Sequence, residues 1–333
     1  MIFILKHLGV KMLNKKLTVN VITYNHENYI SQCLDSILMQ KTDFDFIVRI
    51  FDDGSTDKTQ DICKQYKEKY PEKIELYLSD KNMGKLEDGT LRNALRSYDN
   101  IDTPYYIFIE GDDFCKDKKR FAKQVKILDE NRDCICCCGK VQTYDENLKK
   151  FIGVSQTHTK KKYSIEDVTD SKEYIHIQHS GKMVRTEAIK IDTEHPHYFL
   201  FDITQMYELI QKGSIYFMDS IVSVYRLTHN NANSIYAGLN FKKQCYFIID
   251  MISGYDTYSK YKFSKNLYNN MLIELSGKYW HYYEQSEIKK MNFFKIKLKS
   301  IKHYFIPRFI LDICNIPRDL SRLIRSLLKC RRK

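Results

Sequence analysis

The chain has 333 residues, of which 43% are hydrophobic and 13% aromatic, enough for a large packed domain with an appendage and inconsistent with wholesale disorder. Its net charge is +12, but that charge is distributed unevenly. Residues 288–333 hold fourteen Lys or Arg against two Asp or Glu, which leaves 40 basic and 40 acidic residues elsewhere. The body is therefore neutral and only the tail is basic, so we expect no nucleic-acid partner.

Runs typical of strands alternate with runs typical of helices. β-branched and aromatic runs predict strands over 17–22, 46–51, 74–78, 105–110 and 134–144, with strand-like runs again at 215–218 and 221–226. Apolar residues at helical spacing predict a helix over 30–38, and helices are also expected near 89–98 and over 203–212. Residues 150–175 are predicted to be a polar loop region. The alternation predicts an α/β fold with a mostly parallel sheet and flanking helices.

The ten cysteines show no spacing typical of a metal site, and four of them fall within the apolar run at 134–138. We interpret that run as a buried strand whose thiols act as small apolar side chains. The chain has no Gly-x-Gly-x-x-Gly, Walker or Gly-x-Ser-x-Gly motif. This argues against a dinucleotide site, a P-loop or a serine-hydrolase site.

Polar and acidic clusters directly follow three of the predicted strands, at residues 23–27, 52–56 and 110–113. The carboxyl ends of parallel strands lie at one edge of a sheet, where ligands bind in folds of this class. We therefore expect the three clusters to converge on one site.

The last cluster contains two adjacent carboxylates, Asp112 and Asp113. Such a pair repels itself unless a positive charge neutralises it, and Mg²⁺ or Mn²⁺ prefers oxygen ligands. A cation bound there would stabilise negative charge on a departing phosphate. Taken alone, the pair is more typical of a solvated turn than of a metal site.

These clusters belong to a longer series of motifs. In chain order they are Val-Asn-Val-Ile-Thr-Tyr-Asn at 19–25, Asp-Asp-Gly-Ser-Thr-Asp-Lys-Thr at 52–59, Asn-Met-Gly at 82–84, Arg-Asn at 92–93 and Gly-Asp-Asp at 111–113. In order and spacing they resemble the signatures of the family-2 glycosyltransferases with a GT-A fold, over about residues 17–229. The resemblance implies an inverting enzyme that uses a nucleotide-diphosphate sugar and a divalent metal, Mn²⁺ or Mg²⁺.

The resemblance also implies a role for individual residues of the donor site. Thr23 and Tyr24 would border the nucleotide base, and Asp53 would accept a hydrogen bond from the imide N–H of uracil. Arg92 would approach the diphosphate. Asp112 would contact the ribose or the donor sugar.

The remaining positions of the resemblance concern the metal and its surroundings. Asn25 and Glu27 would belong to the nucleotide-sugar site, and Asp113 would ligate the metal. Glu110 replaces the commoner residue at the start of the acidic turn, which leaves open which oxygen binds the cation. His229 stands near a position where some relatives place a histidine on the metal or diphosphate, and a structural histidine is the alternative.

An inverting transfer needs a carboxylate that takes the proton from the acceptor hydroxyl. The resemblance places it before a helix that is followed by a glycine, a strand and a Tyr-Arg pair, here Gly213 and residues 225–226. That layout assigns the base to Asp202, although Leu-Phe-Asp replaces the usual Glu-Asp or Gly-x-Asp. Glu208 is the second candidate, and the N-cap of the helix is the alternative role for Asp202.

The C-terminal region has a different character from the body. Residues 320–328 carry Leu and Ile at helical spacing with basic residues on the remaining face, a pattern typical of a helix in an anionic membrane interface. A packed helix with a solvated basic edge is the alternative. We predict a GT-A catalytic domain at 15–230 and a helical extension with a basic amphipathic tail at 231–333.

The resemblance thus implies a hexosyl- or N-acetylhexosaminyltransferase that uses a UDP-linked sugar. Its acceptor would be a glycan or lipid-linked glycan in the synthesis of surface polysaccharide or lipooligosaccharide. Because no run of eighteen apolar residues occurs, we expect a cytoplasmic protein, peripheral on the inner face of the cell membrane. The alternatives are a nucleotidyltransferase, which would need a Gly-rich basic loop after the first strand, and a catalytically inactive, basic-tailed binding protein.

Deleting residues 316–333 should release the protein from anionic vesicles and leave donor hydrolysis intact. Each Lys or Arg near an anionic surface contributes on the order of 1 kcal/mol, and the deletion removes seven of them. Vesicle co-sedimentation at low and high salt measures the effect, since salt screens exposed charges. Equal sedimentation of the full-length and truncated proteins would show that the tail is a packing element.

Overall fold

The computed structural model of the chain describes residues 15–86, 91–155, 158–170, 175, 177–191 and 194–228, together with 251–252, 254–260, 262–263 and 266. The chain divides into two compact units, Met1–Val168 with Ile175–Ala237, and Thr169–Tyr174 with Gly238–Lys333. In the second unit residues 251–252 and 254–258 are helical. Most of the predicted extension lies outside the described residues, so the limits of 15–230 and 231–333 stay a prediction.

The first four strands form a parallel group in the order β3-β2-β1-β4. They are β1 (Lys15–Thr23), β2 (Asp45–Asp52), β3 (Ile74–Leu78) and β4 (Tyr105–Glu110). Their register aligns Thr23 with Asp52 and Ile22 with Glu110. β1, β2 and β4 are buried almost throughout, which explains their near-continuous apolar sequences. The residues that follow these strands therefore lie along one edge of the sheet.

The sheet continues beyond β4 in the order β9-β6-β10-β5. The later strands are β5 (Phe114–Cys115), β6 (Cys134–Asp145), β7 (Lys150–Val154), β8 (Lys162–Tyr163), β9 (Lys182–Arg185) and β10 (Ser214–Leu227). β9 is antiparallel to both β4 and β6, and β6 and β10 are parallel to each other. The carboxyl ends of β6 and β10, and the amino end of β9, are therefore directed toward the same edge as the carboxyl ends of β1 to β4.

Besides the helical residues 251–252 and 254–258, the described part of the chain contains seven α-helices. They are α1 (Ile30–Leu38), α2 (Thr59–Lys69), α3 (Arg92–Arg96), α4 (Arg120–Glu130), α5 (Ile165–Asp170), α6 (His197–Leu200) and α7 (Asp202–Ile210). α1 buries Ile30, Cys33, Leu34 and Ile37 in the same apolar core as β1 and β4, as its helical spacing predicts. In the described part of the chain, no helix is long and apolar enough to cross a membrane.

The predicted α/β architecture, with a mostly parallel sheet and flanking helices, is confirmed. The prediction of a polar loop over 150–175 is wrong, because this stretch contains β7, β8 and α5. β7 is exposed at every position, and its sequence, Lys-Phe-Ile-Gly-Val, does not alternate between apolar and polar residues. That alternation is the pattern by which half-buried strands are recognised. The two strand-like runs at 215–218 and 221–226 form a single strand, β10, whose pairing with β6 shifts register between them.

Candidate active site

The three polar clusters meet at the carboxyl edge of the sheet. The Asp53 N–H donates to the Thr23 carbonyl at 3.0 Å, which joins the loop after β2 to the end of β1. The Gly111 N–H donates to the Ile22 carbonyl at 2.8 Å, which joins the loop after β4 to the same strand. The backbone itself therefore brings the clusters together, as the strand order predicts.

Asn25 and Glu27 link the first cluster to the second. Asn25, in the left-handed region at φ 55, donates its N–H to Ser55 Oγ at 2.9 Å, and its Oδ1 accepts from the Thr56 N–H at 2.8 Å. Glu27 Oε2 accepts from the Lys58 N–H at 3.1 Å. In this structure both side chains bond the turn after β2, which holds the two loops in register.

The adjacent carboxylates Asp52 and Asp53 have different surroundings. Asp52 accepts hydrogen bonds from the Ser55 N–H and hydroxyl, at 2.9 and 2.5 Å, and from Gln60 Nε2 at 2.6 Å. Asp53 Oδ1 accepts from the Met83 N–H at 2.8 Å. Burial raises the pKa of Asp53 above its usual value. Asp52 therefore builds the turn, and Asp53 lies between that turn and the loop after β3.

Gly54 makes this turn possible. Its φ is +73, and a Cβ built on it would lie 2.2 Å from the carbonyl carbon of Lys81. A side chain would thus clash with backbone and strain the turn at once. The loop at 81–84 approaches the turn after β2 closely because position 54 is glycine.

The first and third clusters also touch through side chains. Thr23 Oγ1 lies 3.2 Å from His26 Nδ1, and His26 Nε2 lies 3.8 Å from Asp112 Oδ2. A Cβ on Gly111 would lie 2.8 Å from Thr23 Oγ1, so only glycine permits this approach. Thr23 is buried and Tyr24 half-buried beside it. His26, which the sequence analysis did not single out, therefore connects Thr23 to Asp112.

Two arginines of α3 behave differently. Arg92 is the first residue of α3 and is exposed. Arg96, one turn later, donates to the Asp52 carbonyl at 2.9 Å and the Tyr77 carbonyl at 3.0 Å, and its guanidinium lies over the Phe51 ring. Arg96 thus holds the ends of β2 and β3 together. The sequence analysis missed this role because residues 92 and 96 lie on the same face of the helix, and the sequence does not show which of the two arginines packs against the strands.

Asp112 and Asp113 are held by Arg226, near the end of β10. The Arg226 N–H donates to Asp113 Oδ1 at 2.9 Å, and its Nε donates to the Asp112 carbonyl at 2.8 Å. Its guanidinium also donates to Glu146 Oε2 and Gln32 Oε1, both at 2.5 Å. The Asp112 Oδ1 atom is buried and has no hydrogen-bond partner within the described ranges. Arg226 therefore fixes the backbone and one carboxylate of the acidic turn, whereas the Oδ1 atom of Asp112 keeps an unused capacity to accept a hydrogen bond.

The three carboxyl groups of the acidic turn, those of Glu110, Asp112 and Asp113, lie too close together for all of them to ionise readily. Burial, reinforced by repulsion from Asp112, raises the pKa of Glu110 to about 8. Burial, followed by Asp112 and Glu110, raises the pKa of Asp113 well above its usual value. No group of three His, Cys, Asp or Glu side chains suited to a metal ion occurs in the part of the chain that the structure describes.

Asp202 lies at the start of α7, beside two groups that the sequence analysis missed. It is the first helical residue, and Phe201 occupies the N-cap position, so the N-cap alternative is wrong. Asp202 Oδ1 lies 2.8 Å from His179 Nε2 and 3.5 Å from Lys182 Nζ. Because Lys182 opens β9, whose amino end is directed toward the edge where β4 ends, Asp202 lies at that edge too.

Lys182 could have been suspected from the sequence, because a lysine opens the short run Lys-Met-Val-Arg at 182–185. His179 lies three residues before it. Glu208 lies further along α7 and is half-buried. His229 falls outside the described residues, so its proposed contact with the metal or diphosphate stays a prediction.

Comparison with known proteins places the chain in a family. Residues 18–191, about half of the chain, match the family described as Glycosyl transferase family 2. Over 98 residues the chain is 37% identical to the teichoic acid poly(glycerol phosphate) polymerase of Staphylococcus epidermidis, covering 29% of this chain and 13% of that protein. Alignments with three mycobacterial proteins cover 36% of their length. The chain thus spans about a third or less of these relatives.

Two solved structures share the fold. S. aureus TarS 1–349 in complex with UDP-GlcNAc superposes with a TM-score of 0.52 at 18% identity, covering 85% of this chain and 77% of that one. The mannosyltransferase PcManGT from Pyrobaculum calidifontis, in complex with GDP-Man and Mn²⁺, gives 0.50 at 12% identity, covering 87% and 83%. At these identities the likeness concerns the fold alone, and it confirms the predicted GT-A architecture.

The raised pKa of Glu110 predicts a pH dependence of stability. Its folded-state pKa of about 8 exceeds its usual value of 4.5, so the folded state favours the proton. The resulting stabilisation is complete below the unfolded-state pKa and is lost as pH rises toward 8. We expect Glu110→Gln to reduce the loss of unfolding free energy between pH 5 and 8 by about 1 kcal/mol or more.

Urea unfolding at both pH values, in chelator, measures this effect. Glu68→Gln, an exposed position on α2, is the matched control and should leave the pH dependence unchanged. A Glu110→Gln protein whose stability falls as steeply as the wild type would contradict the assignment.

Proposed function

This chain belongs to glycosyltransferase family 2, and from that premise we propose that it transfers a sugar, with inversion, from a UDP-linked donor. The acceptor that we propose is a glycan or lipid-linked glycan of the cell surface. The observation that carries the proposal is the arrangement of Asp53, Asp112 and Asp202 toward one edge of the sheet. Family membership disfavours the nucleotidyltransferase alternative.

The donor site is proposed to form between the loops after β1, β2 and β3. Asp52 accepts hydrogen bonds within its own turn, so Asp53 is the carboxylate that we assign to the imide N–H of uracil. Thr23 and Tyr24 would border the base, and the exposed Arg92 would approach the diphosphate. Asn25 and Glu27, assigned above to the same site, would support it through the loop contacts that they make.

A divalent cation fits the acidic turn by its chemistry. The buried, unpartnered Asp112 Oδ1 and the crowded carboxylates of Glu110 and Asp113 favour a positive charge there. We propose that Asp113 holds Mn²⁺ or Mg²⁺, with Asp112 beside it at the ribose or donor sugar, since such ions take few protein oxygens and retain waters. When bound, the cation would stabilise negative charge on the departing diphosphate.

Asp202 is proposed as the general base. Its carboxylate would take the proton of the acceptor hydroxyl while that oxygen bonds to the anomeric carbon. The bond between that carbon and the diphosphate oxygen breaks in the same step, so the nucleoside diphosphate leaves with the bonding electrons. Attack from the side opposite the leaving group would invert the anomeric centre.

The acceptor and the location are proposed from the sequence alone. The basic, amphipathic tail would dock on the anionic inner face of the cell membrane, where lipid-linked glycans are extended. The enzyme would then act as a peripheral, cytoplasmic hexosyl- or N-acetylhexosaminyltransferase in surface polysaccharide or lipooligosaccharide synthesis.

A donor-hydrolysis screen tests the proposal. Purified protein with Mn²⁺ or Mg²⁺ should hydrolyse a UDP-sugar faster than GDP- or dTDP-sugars. Asp113→Asn should abolish this turnover yet leave folding intact, because an amide oxygen can still accept from the Arg226 N–H. Asp61→Asn, exposed on α2, is the matched control. Near wild-type activity in Asp113→Asn would refute the metal assignment, and no turnover of any donor would favour the inactive binding protein.

Asp202→Asn should lower kcat by roughly 10²- to 10⁴-fold, the usual contribution of a positioned general base, while UDP binding persists. Steady-state kinetics together with calorimetric titration of UDP separates the two quantities. Glu208→Gln on the same helix is the control and should retain most activity. A larger loss in Glu208→Gln than in Asp202→Asn would move the base to position 208.

A further inference from the structure

Lys182, at the start of β9, is a buried cation. Its side chain is 1% exposed, and its ammonium lies 3.5 Å from Asp202 Oδ1. It also donates to Gln205 Oε1 on α7. A buried ammonium is costly unless it is paired, so the carboxylate of Asp202 and the amide of Gln205 account for its presence here.

His179, just before β9, completes the contact. Its Nδ1 lies 2.5 Å from Lys182 Nζ, and its Nε2 lies 2.8 Å from Asp202 Oδ1 and 3.0 Å from the Leu200 carbonyl. An ammonium has donors only, so Nδ1 must accept and the ring hydrogen must reside on Nε2. The imidazole is therefore neutral: its Nε2–H donates to the Leu200 carbonyl, and Asp202 Oδ1 lies 2.8 Å from the same nitrogen.

We propose that Lys182 and His179 are positioning residues for Asp202: the ammonium keeps the carboxylate ionised, and the neutral imidazole fixes its orientation. The inference rests on the proposed function, because it takes Asp202 to be the base. Both positioning residues act through the Oδ1 atom of Asp202.

The electrostatic setting explains why such support is needed. Besides His179, the titratable groups among the described residues that interact with Asp202 or Lys182 include Tyr98, Glu110, Cys136, Cys138 and Tyr225. Lys182 supplies the positive charge that attracts an ionised Asp202. Burial lowers the pKa of both Lys182 and His179, which lets His179 stay neutral beside a carboxylate. Removing the ammonium would leave the ionised form of Asp202 without this attraction.

The pH profile of Lys182→Met tests the electrostatic part. An opposite charge within about 4–6 Å lowers the pKa of a carboxyl by about 1–3 units, so its loss should move the acid limb of kcat upward by about one pH unit or more. The UDP dissociation constant should stay within about twofold of wild type. Lys162→Met is the matched control, since Lys162 pairs with Asp133 at the opposite end of β6. A profile lowered equally at every pH would overturn the proposal.

Two substitutions at His179 test the orienting part and serve if Lys182→Met fails to fold. His179→Gln can still direct an amide N–H toward Asp202, whereas His179→Phe keeps the ring and loses the donor. We expect kcat to fall by about 10²-fold in His179→Phe and by less than about tenfold in His179→Gln, with donor KM unchanged in both. Equal losses in the two variants, or losses confined to KM, would overturn the positioning role.

The Asp202→Asn variant, measured in parallel with the same UDP-sugar, separates the two levels of the argument. If Asp202→Asn retains activity, the base assignment fails and the positioning role fails with it. If Asp202→Asn is inactive but Lys182→Met shows no pH shift, Asp202 remains the base and only the role of Lys182 is rejected.

Discussion

The contact of Arg226 with the acidic turn is the interaction on which the candidate active site depends. Its guanidinium is buried, yet it meets the Asp112 carbonyl, the Glu146 carboxylate and the Gln32 amide, while its backbone N–H meets Asp113. A buried arginine paired in this way is costly to unpair, because removal of either partner leaves a charge without compensation. The geometry of the turn after β4 is thereby set by β10, the strand that carries Arg226.

This contact joins two halves of the sheet with different contributions. β1 to β4 supply the loops that we assign to the nucleotide, and those loops are tied to one another by backbone hydrogen bonds. The part beyond β4 supplies Arg226, His179 and Lys182, together with α7 and its Asp202. The two sets of residues lie at the same edge of the sheet, because β6 and β10 run in the same direction as β4 and because β9, which is antiparallel to β4 and β6, begins there.

The first half could be predicted from sequence because its signals are local. An apolar run followed by a polar cluster specifies both a buried strand and the residues at its carboxyl end. The environment of Asp202 could not be predicted in the same way. It requires knowing that β9, a strand of four residues that begins with Lys182 and ends with Arg185, enters the sheet antiparallel. Arg96 was missed for a related reason, since the choice between two arginines on one helix face depends on tertiary packing.

The position of β9 also bears on how the polypeptide becomes a continuous sheet during synthesis. Arg185 of β9 pairs with Tyr105 of β4, eighty residues earlier, and Lys182 pairs with Cys138 of β6. Until β9 leaves the ribosome, β4 and β6 each present an unpaired strand edge, and such edges recruit strands from other chains. A nascent or proteolysed chain that ends before residue 182 lacks both β9 and β10, so it would expose one edge of β4 and the edges of β6 that β9 and β10 cover, and it would be prone to aggregate.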